Sequence, residues 1–155
     1  MSIFSRKVPT IKILPAITRF LVIAIFILSS GCAVNRATAT VDPKTDLSKI
    51  KTLSVIPYEP AASVIALLNE RKLKSMGYQV ITGQNTQTEA DAVVTFKDKW
   101  VWDITTYMIE LTIVIREPKT EYPLATGNSF HTSLTRKSPE EMVEEVLNNI
   151  FRREK

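Results

Sequence analysis

The chain has 155 residues with 20 basic and 16 acidic side chains, and it carries a single cysteine, a single histidine and four scattered glycines. One cysteine excludes a disulfide scaffold, and one histidine with no second cysteine leaves no metal-ligand cluster of the usual spacing. Four unclustered glycines exclude a glycine-rich phosphate loop.

The first stretch is read from its physical parts. Arg6, Lys7, Lys12 and Arg19 precede any acidic residue, and the positive-inside bias holds such a segment on the cytoplasmic side. Residues 20–28 then form an uncharged apolar run of nine residues. A helix of that length covers about half of a hydrocarbon core of about 30 Å, so the run is the core of a signal peptide and not a span. Leu28-Ser29-Ser30-Gly31-Cys32 closes it, with small residues that lie extended in a peptidase groove. This segment resembles the lipobox of bacterial lipoproteins, with its leucine one place earlier than usual. The resemblance implies a diacylglycerol on the Cys32 thiol, removal of residues 1–31 and acylation, palmitate being typical, of the new amino terminus. An ordinary cleaved secretory signal or an uncleaved anchor would give the same charge order. A lone thiol exposed to oxidising conditions invites intermolecular pairing, which a thioether to lipid prevents. One acyl chain anchors only reversibly, whereas two or three hold durably. Ala33, in place of an aspartate after the cysteine, implies by the same resemblance an outer-membrane anchor facing the periplasm; in an organism with one membrane the domain would sit on the cell surface.

With residues 1–31 set aside, 16 basic side chains face 16 acidic ones, so the basic balance belongs to the export signal. The expectation from a basic chain to a nucleic-acid partner loses its warrant, and no aromatic and basic interleaving of a stacking groove occurs. The remaining 124 residues suit one domain. Residues 32–46, poor in large apolar side chains, are expected to be the lipidated cysteine and a tether that lifts the domain off the membrane, with 47–155 as the single globular domain. Ala37 to Val41 alternate small and β-branched residues, which would also suit an edge strand.

From Thr52 the elements become legible in order. Thr52 to Ile56 is a short apolar run closed by Pro57 and Pro60, a buried strand. Val64, Ile65, Leu67, Leu68, Leu73 and Met76 recur at helical spacing, with Asn69, Glu70, Lys72 and Lys74 turned away and Gly77 as the stop. Tyr78 to Ile81 returns to an extended pattern, and 83–89 is a polar loop. Three antiparallel strands follow. In the first, Val94, Phe96, Trp100 and Trp102 share a face opposite Thr95, Lys97 and Lys99. In the second, Tyr107, Ile109, Leu111, Ile113 and Ile115 form the inward row. The third, Ala125 to Leu134, contains Gly127 and small polar residues, the pattern of an edge or a bulge. Ser138-Pro139-Glu140-Glu141 is a capping box, and Met142, Val143, Val146, Leu147, Ile150 and Phe151 make the stripe of a closing helix.

Two amphipathic helices cannot bury their stripes alone. The expected fold is therefore α/β (α+β), a two-layer sandwich in which both helices cover one face of a mixed sheet of four to six strands. Asp46-Leu47-Ser48-Lys49-Ile50-Lys51-Thr52 within 42–52, then Gly77-Tyr78, Ala90-Asp91-Ala92-Val93-Val94 and 143–151 carry a further resemblance. They are similar to small bacterial envelope lipoproteins with a domain of unknown function, whose fold is similar to the N-terminal domain of TolB-type periplasmic proteins. That resemblance implies no activity.

The candidate chemical residues have structural explanations. His131 is read as a surface or half-buried structural residue. Ser129, His131 and Ser133 fall at two-residue spacing on one strand face, but no carboxylate is assigned to orient the imidazole, so a hydrolase triad is not expected. Asp98 and Asp103 flank the tryptophans as a strand edge and a turn starter. Trp100, Trp102 and Tyr107, beside a hairpin turn, are either core or an exposed anchor for a protein partner, and an edge strand at 125–134 would allow a partner strand to add. The expected function is thus a lipid-anchored, non-enzymatic protein-interaction or assembly module of the bacterial envelope, with no cofactor. A small-ligand or glycan-binding lipoprotein is the alternative, and a pocket joining Asp103 or Glu110 to His131 would instead favour an enzyme.

Overall fold

Alternating side chains in Arg36–Val41 put this segment into the sheet as β1, followed by a short 3-10 turn at Leu47–Lys49. The computed structural model describes residues 36–57, 63–82 and 89–152; the leader, Cys32 and most of the 83–89 loop lie outside the described residues. The remaining strands are β2 (Thr52–Pro57), β3 (Gln79–Thr82), β4 (Ala92–Trp102), β5 (Thr106–Arg116) and β6 (Pro123–Phe130), with helices α1 (Ser63–Ser75) and α2 (Pro139–Ile150). They form one six-stranded sheet in the order β1-β6-β5-β4-β2-β3. β2 is parallel to both β3 and β4, and the β4–β5–β6–β1 part is antiparallel. Both helices lie on one face, α1 over β2 and β3, α2 over β1, β5 and β6, and they pack on each other. This is the two-layer α+β sandwich expected.

The core is the set of side chains between the layers. Leu53 and Val55 of β2, Val94 and Phe96 of β4, and Leu111, Ile113 and Ile115 of β5 meet Ile65 and Leu73 of α1 and Met142, Val146, Leu147 and Ile150 of α2. Full burial of each such side chain contributes about 1.5–3 kcal/mol, and the strict alternation along β5 fixes its register.

Three readings are corrected by this packing. Residues 36–41 are the edge strand that Ala37 to Val41 allowed and not tether: they pair antiparallel with β6, Arg36 opposite Phe130 and Val41 opposite Ala125. Consequently β6 is an interior strand that ends at Phe130, and the edge proposed for strand addition is already occupied. The third correction concerns α1. Its buried row is Ile65, Asn69 and Leu73, at four-residue spacing, while Val64 and Leu67 are 63% and 58% exposed. Counting every apolar residue widened the stripe beyond what one sheet face and one neighbouring helix can cover. Asn69 is tolerated because its Nδ2 donates to the Ile65 carbonyl at 2.8 Å, although its Oδ1 is buried without a partner.

The ends of the helices are built as their residues dictate. Gly77 takes φ +94°, closing α1 with Tyr78 N–H donating to the Leu73 carbonyl. At α2 the Ser138 side chain accepts from Glu141 N–H and the Glu141 side chain accepts from Ser138 N–H, with Pro139 at the first position. Ser138→Ala removes half of this reciprocal cap. Its urea midpoint should fall by the equivalent of about 1 kcal/mol.

The β4–β5 hairpin carries a register shift at Lys99/Trp100, where Glu110 pairs with Lys99 but Met108 pairs with Trp100. The extra β5 residue, Ile109, reverses the alternation beyond it. Met108 therefore becomes core, 1% exposed, and Tyr107 and Ile109 leave the inward row predicted for them. The signal for that bulge is tertiary, since 106–116 alternates without interruption in sequence.

Candidate functional site

Three regions could do chemistry or binding, and the most organised is under α2. The helix lies close to β6 because Gly127 has no side chain: a Cβ there would stand 2.6 Å from Val146 Cγ1 and 2.9 Å from Ile150 Cγ1. That approach brings Glu145 down onto the next two residues of the same strand face, Ser129 and His131. Glu145 Oε2 accepts from Ser129 Oγ at 2.7 Å and lies 2.8 Å from His131 Nε2, while Oε1 accepts from Lys137 Nζ at 2.5 Å. Partial burial pushes the Glu145 carboxyl up, but the bonds from His131, Lys137 and Ser129 outweigh this and hold it down at about 2. The carboxylate is thus ionised and acceptor-only, so His131 Nε2 carries the proton it shares.

The sequence placed His131 at or near the surface, whereas it is buried at 3% exposure with Nδ1 lacking a partner. It also left the imidazole without a carboxylate; α2 supplies Glu145, fourteen positions away. Periodicity could not show this, because the contact depends on the crossing of α2 over β6. The result is still not a nucleophilic triad. Serine and histidine both donate to one oxygen of the same carboxylate, so the serine proton faces the carboxylate and not the imidazole. Ser133 is in an exposed 3-10 turn, Ser133–Thr135, and has left the strand face.

The hairpin tip is the second region. Trp100 and Trp102 are 44% and 76% exposed, and Ile104 at the turn is 92% exposed. Leu134, in the chain after β6, is 85% exposed and lies two positions before Arg136, which bonds to Asp103 and Thr105 at the tip. Tyr107 is separated from the tryptophans. The register pairs it with Val101 while Trp100 pairs with Met108, so they sit on opposite faces, and the Arg136 guanidinium stacks 3.8 Å over its ring. Asp98 accepts from Trp100 Nε1, and Glu110 accepts from Asn128 at 3.0 Å. Asp103, Glu110 and His131 therefore each bind a different partner and do not converge.

The third region is an open cleft of about 810 Å³ at the opposite end of α2, lined by Val41, Asp46, Ser48, Tyr78, Phe151 and neighbouring residues. Tyr78 and Phe151 form its aromatic wall, their ring centroids 4.9 Å apart. Asp46 is mainly structural: its carboxylate caps the 3-10 turn through Ser48, which holds it below the usual range. Asp91 accepts the N–H groups of Lys51 and Thr52 at 2.9 Å each and ties β2 to the start of β4. Among the described residues no group of acids, histidines or cysteines could hold a metal ion, and no helix is long and apolar enough to cross a membrane. Cys32, the lipidation candidate, lies outside the described residues.

No family model matches the chain, and no curated protein matches it. Solved structures do. The PelC dodecamer from Paraburkholderia phytofirmans is similar at a TM-score of 0.55 and 12% identity, over 76% of this chain and 98% of that one. A PDZ domain protein from Parabacteroides distasonis gives 0.47 and 12% over 80% of this chain and 37% of that one. A minor lipoprotein from Acinetobacter baumannii gives 0.28 and 16% over 64% and 84%. Identities this low speak to fold alone, and only the first score is high enough to do so: the sheet and two helices of this chain are arranged as in a PelC subunit.

Proposed function

We propose that the protein is a lipid-anchored envelope lipoprotein that acts as a non-catalytic interaction or assembly module on the periplasmic face of the outer membrane. The observation that carries this is Cys32, the only cysteine, at the small-residue exit of a cationic and apolar leader, four positions before the first strand of the domain. The absence of enzymatic chemistry is part of the same proposal: the one histidine is bound to Glu145, and Glu145 is occupied by three donors. The near-neutral domain argues for a protein partner and a lipid anchor over nucleic acid.

Envelope fractionation of wild type beside Cys32→Ala tests it. Wild type should float with outer membrane and Cys32→Ala should be lost from that fraction, because it lacks the acyl chains of the durable anchor and the cleavage that depends on the lipidated cysteine. A protein recovered stoichiometrically with wild type would identify the partner class. PelC is a dodecamer, so the native mass of the detergent-extracted protein must be measured to score a second copy as that partner. A processed chain with a free Cys32 thiol, or Cys32→Ala recovered with outer membrane as wild type is, would end the proposal. The 810 Å³ cleft with its Tyr78–Phe151 wall favours a second reading, a small-ligand or glycan-binding lipoprotein. A saturable rise in melting temperature with envelope glycans, removed by Tyr78→Ala, would select it.

A further inference from the structure

The sheet register shows at which end of the sheet β1 begins. Arg36, Phe130, Glu110 and Lys99 form one row across β1, β6, β5 and β4. β1 starts at that row, so the chain that leads back to Cys32 leaves the sheet at the same end where the β4–β5 hairpin continues outward. Beyond the row lie Trp100, Trp102 and Ile104, and Arg136, two positions after the exposed Leu134, bonds to Asp103 and Thr105 of the hairpin turn. At about 3.3 Å per residue Trp102 stands about 10 Å beyond Lys99. The four steps from Cys32 to Arg36 reach at most about 14 Å. The hairpin overhang and the longest possible tether are therefore equal within a few ångströms.

We infer that Trp100, Trp102, Ile104 and Leu134 form a membrane-contact surface that enters the headgroup region of the bilayer holding the Cys32 lipid. This rests on the anchor proposed above. The tether once expected to lift the domain clear is spent as β1, and what is left cannot hold this end away from the surface. The side chains at that end are those a lipid interface selects: two tryptophans, each with an apolar body and an N–H, and two aliphatic residues at 92% and 85% exposure. Asp103 faces Arg136, so its charge is compensated, while the Asp98 carboxylate accepts the Trp100 N–H. Tyr107 is held under Arg136 and is not part of the surface.

Trp100 and Trp102 are the only tryptophans of the chain, so its intrinsic fluorescence reads this surface directly. The full-length lipidated protein is placed in vesicles of phosphatidylethanolamine and phosphatidylglycerol, with bromine near the headgroup end of the acyl chains as the quencher. Emission should shift to the blue and be quenched by bromine there more than by bromine at the chain ends. Ile104→Ser with Leu134→Ser keeps both fluorophores and should reduce the quenching by about twofold while the protein still floats with the vesicles. Flotation with unshifted, unquenched emission overturns the surface and leaves the anchor standing. A free Cys32 thiol by mass overturns both. A blue shift already present in detergent, together with a doubled native mass, assigns the patch to a second copy and also overturns the surface.

Discussion

Glu145→Ala is expected to lower folding stability by about 3 kcal/mol, since it removes the acceptor of three donors and leaves Lys137 and the buried His131 and Ser129 unpaired. Lys137 keeps a path to water at 33% exposure, which keeps the cost at the low end of that for a fully buried pair. The pH dependence has a defined sign. The folded-state carboxyl is held at about 2 against an ordinary 4.5, so the unfolded chain binds the proton more readily. The contribution is complete above about pH 4.5 and is lost as pH falls through about 2, an integrated effect of about 3 kcal/mol. Glu145→Gln removes that titration. Chemical denaturation of wild type and Glu145→Gln between pH 6 and pH 2 should give curves that converge in acid. Parallel curves would show that the carboxylate carries no such weight. Because the carboxylate is already satisfied by protein donors, its variants should leave the anchoring proposed for Cys32 unchanged.

Gly127→Val is expected to cost at least about 3 kcal/mol, and Gly127→Ala about 2 kcal/mol, as overpacking between β6 and α2. Even the alanine Cβ would lie 2.6 Å from Val146 Cγ1 and within 3.0 Å of two Ile150 carbons, and those atoms sit on a helix fixed by Met142, Val143 and Leu147. The helix must move away, which also stretches the Glu145 contacts to Ser129 and His131. A double-mutant cycle checks this: Val146→Ala clears the nearest atom, so Gly127→Ala should cost less in that background, with a coupling of about 1 kcal/mol. Additive costs would mean that α2 does not approach β6 as closely as the geometry requires.

The two effects share one cause, the close crossing of α2 over β6, and it explains what could be read in advance. The capping box at Ser138–Glu141, the stripe of α2, the strand at Thr52 and the stop at Gly77 are local patterns set by backbone chemistry, and each forms as its residues dictate. Gly127 was visible but misread. In sequence a glycine among small polar residues marks an edge, whereas here it marks a close helix crossing on an interior strand, and the difference lies in β1, more than eighty residues away. The same holds for the rows misassigned in β5 and α1. An extra residue at Ile109 and the finite width of the sheet decide which side chains are covered, and neither is encoded in a local period.

By itself the sequence determined the order of elements, the fold class and the position of its lone Cys32 after a cationic and apolar stretch, because periodicity, caps and charge order are properties of neighbouring residues. Only the tertiary structure decided that β1 closes the β6 edge, that Glu145 gathers Ser129, His131 and Lys137, and that the exposed tryptophans share an end with the start of β1. Those outcomes depend on strand register and helix crossing, which join residues distant in the chain.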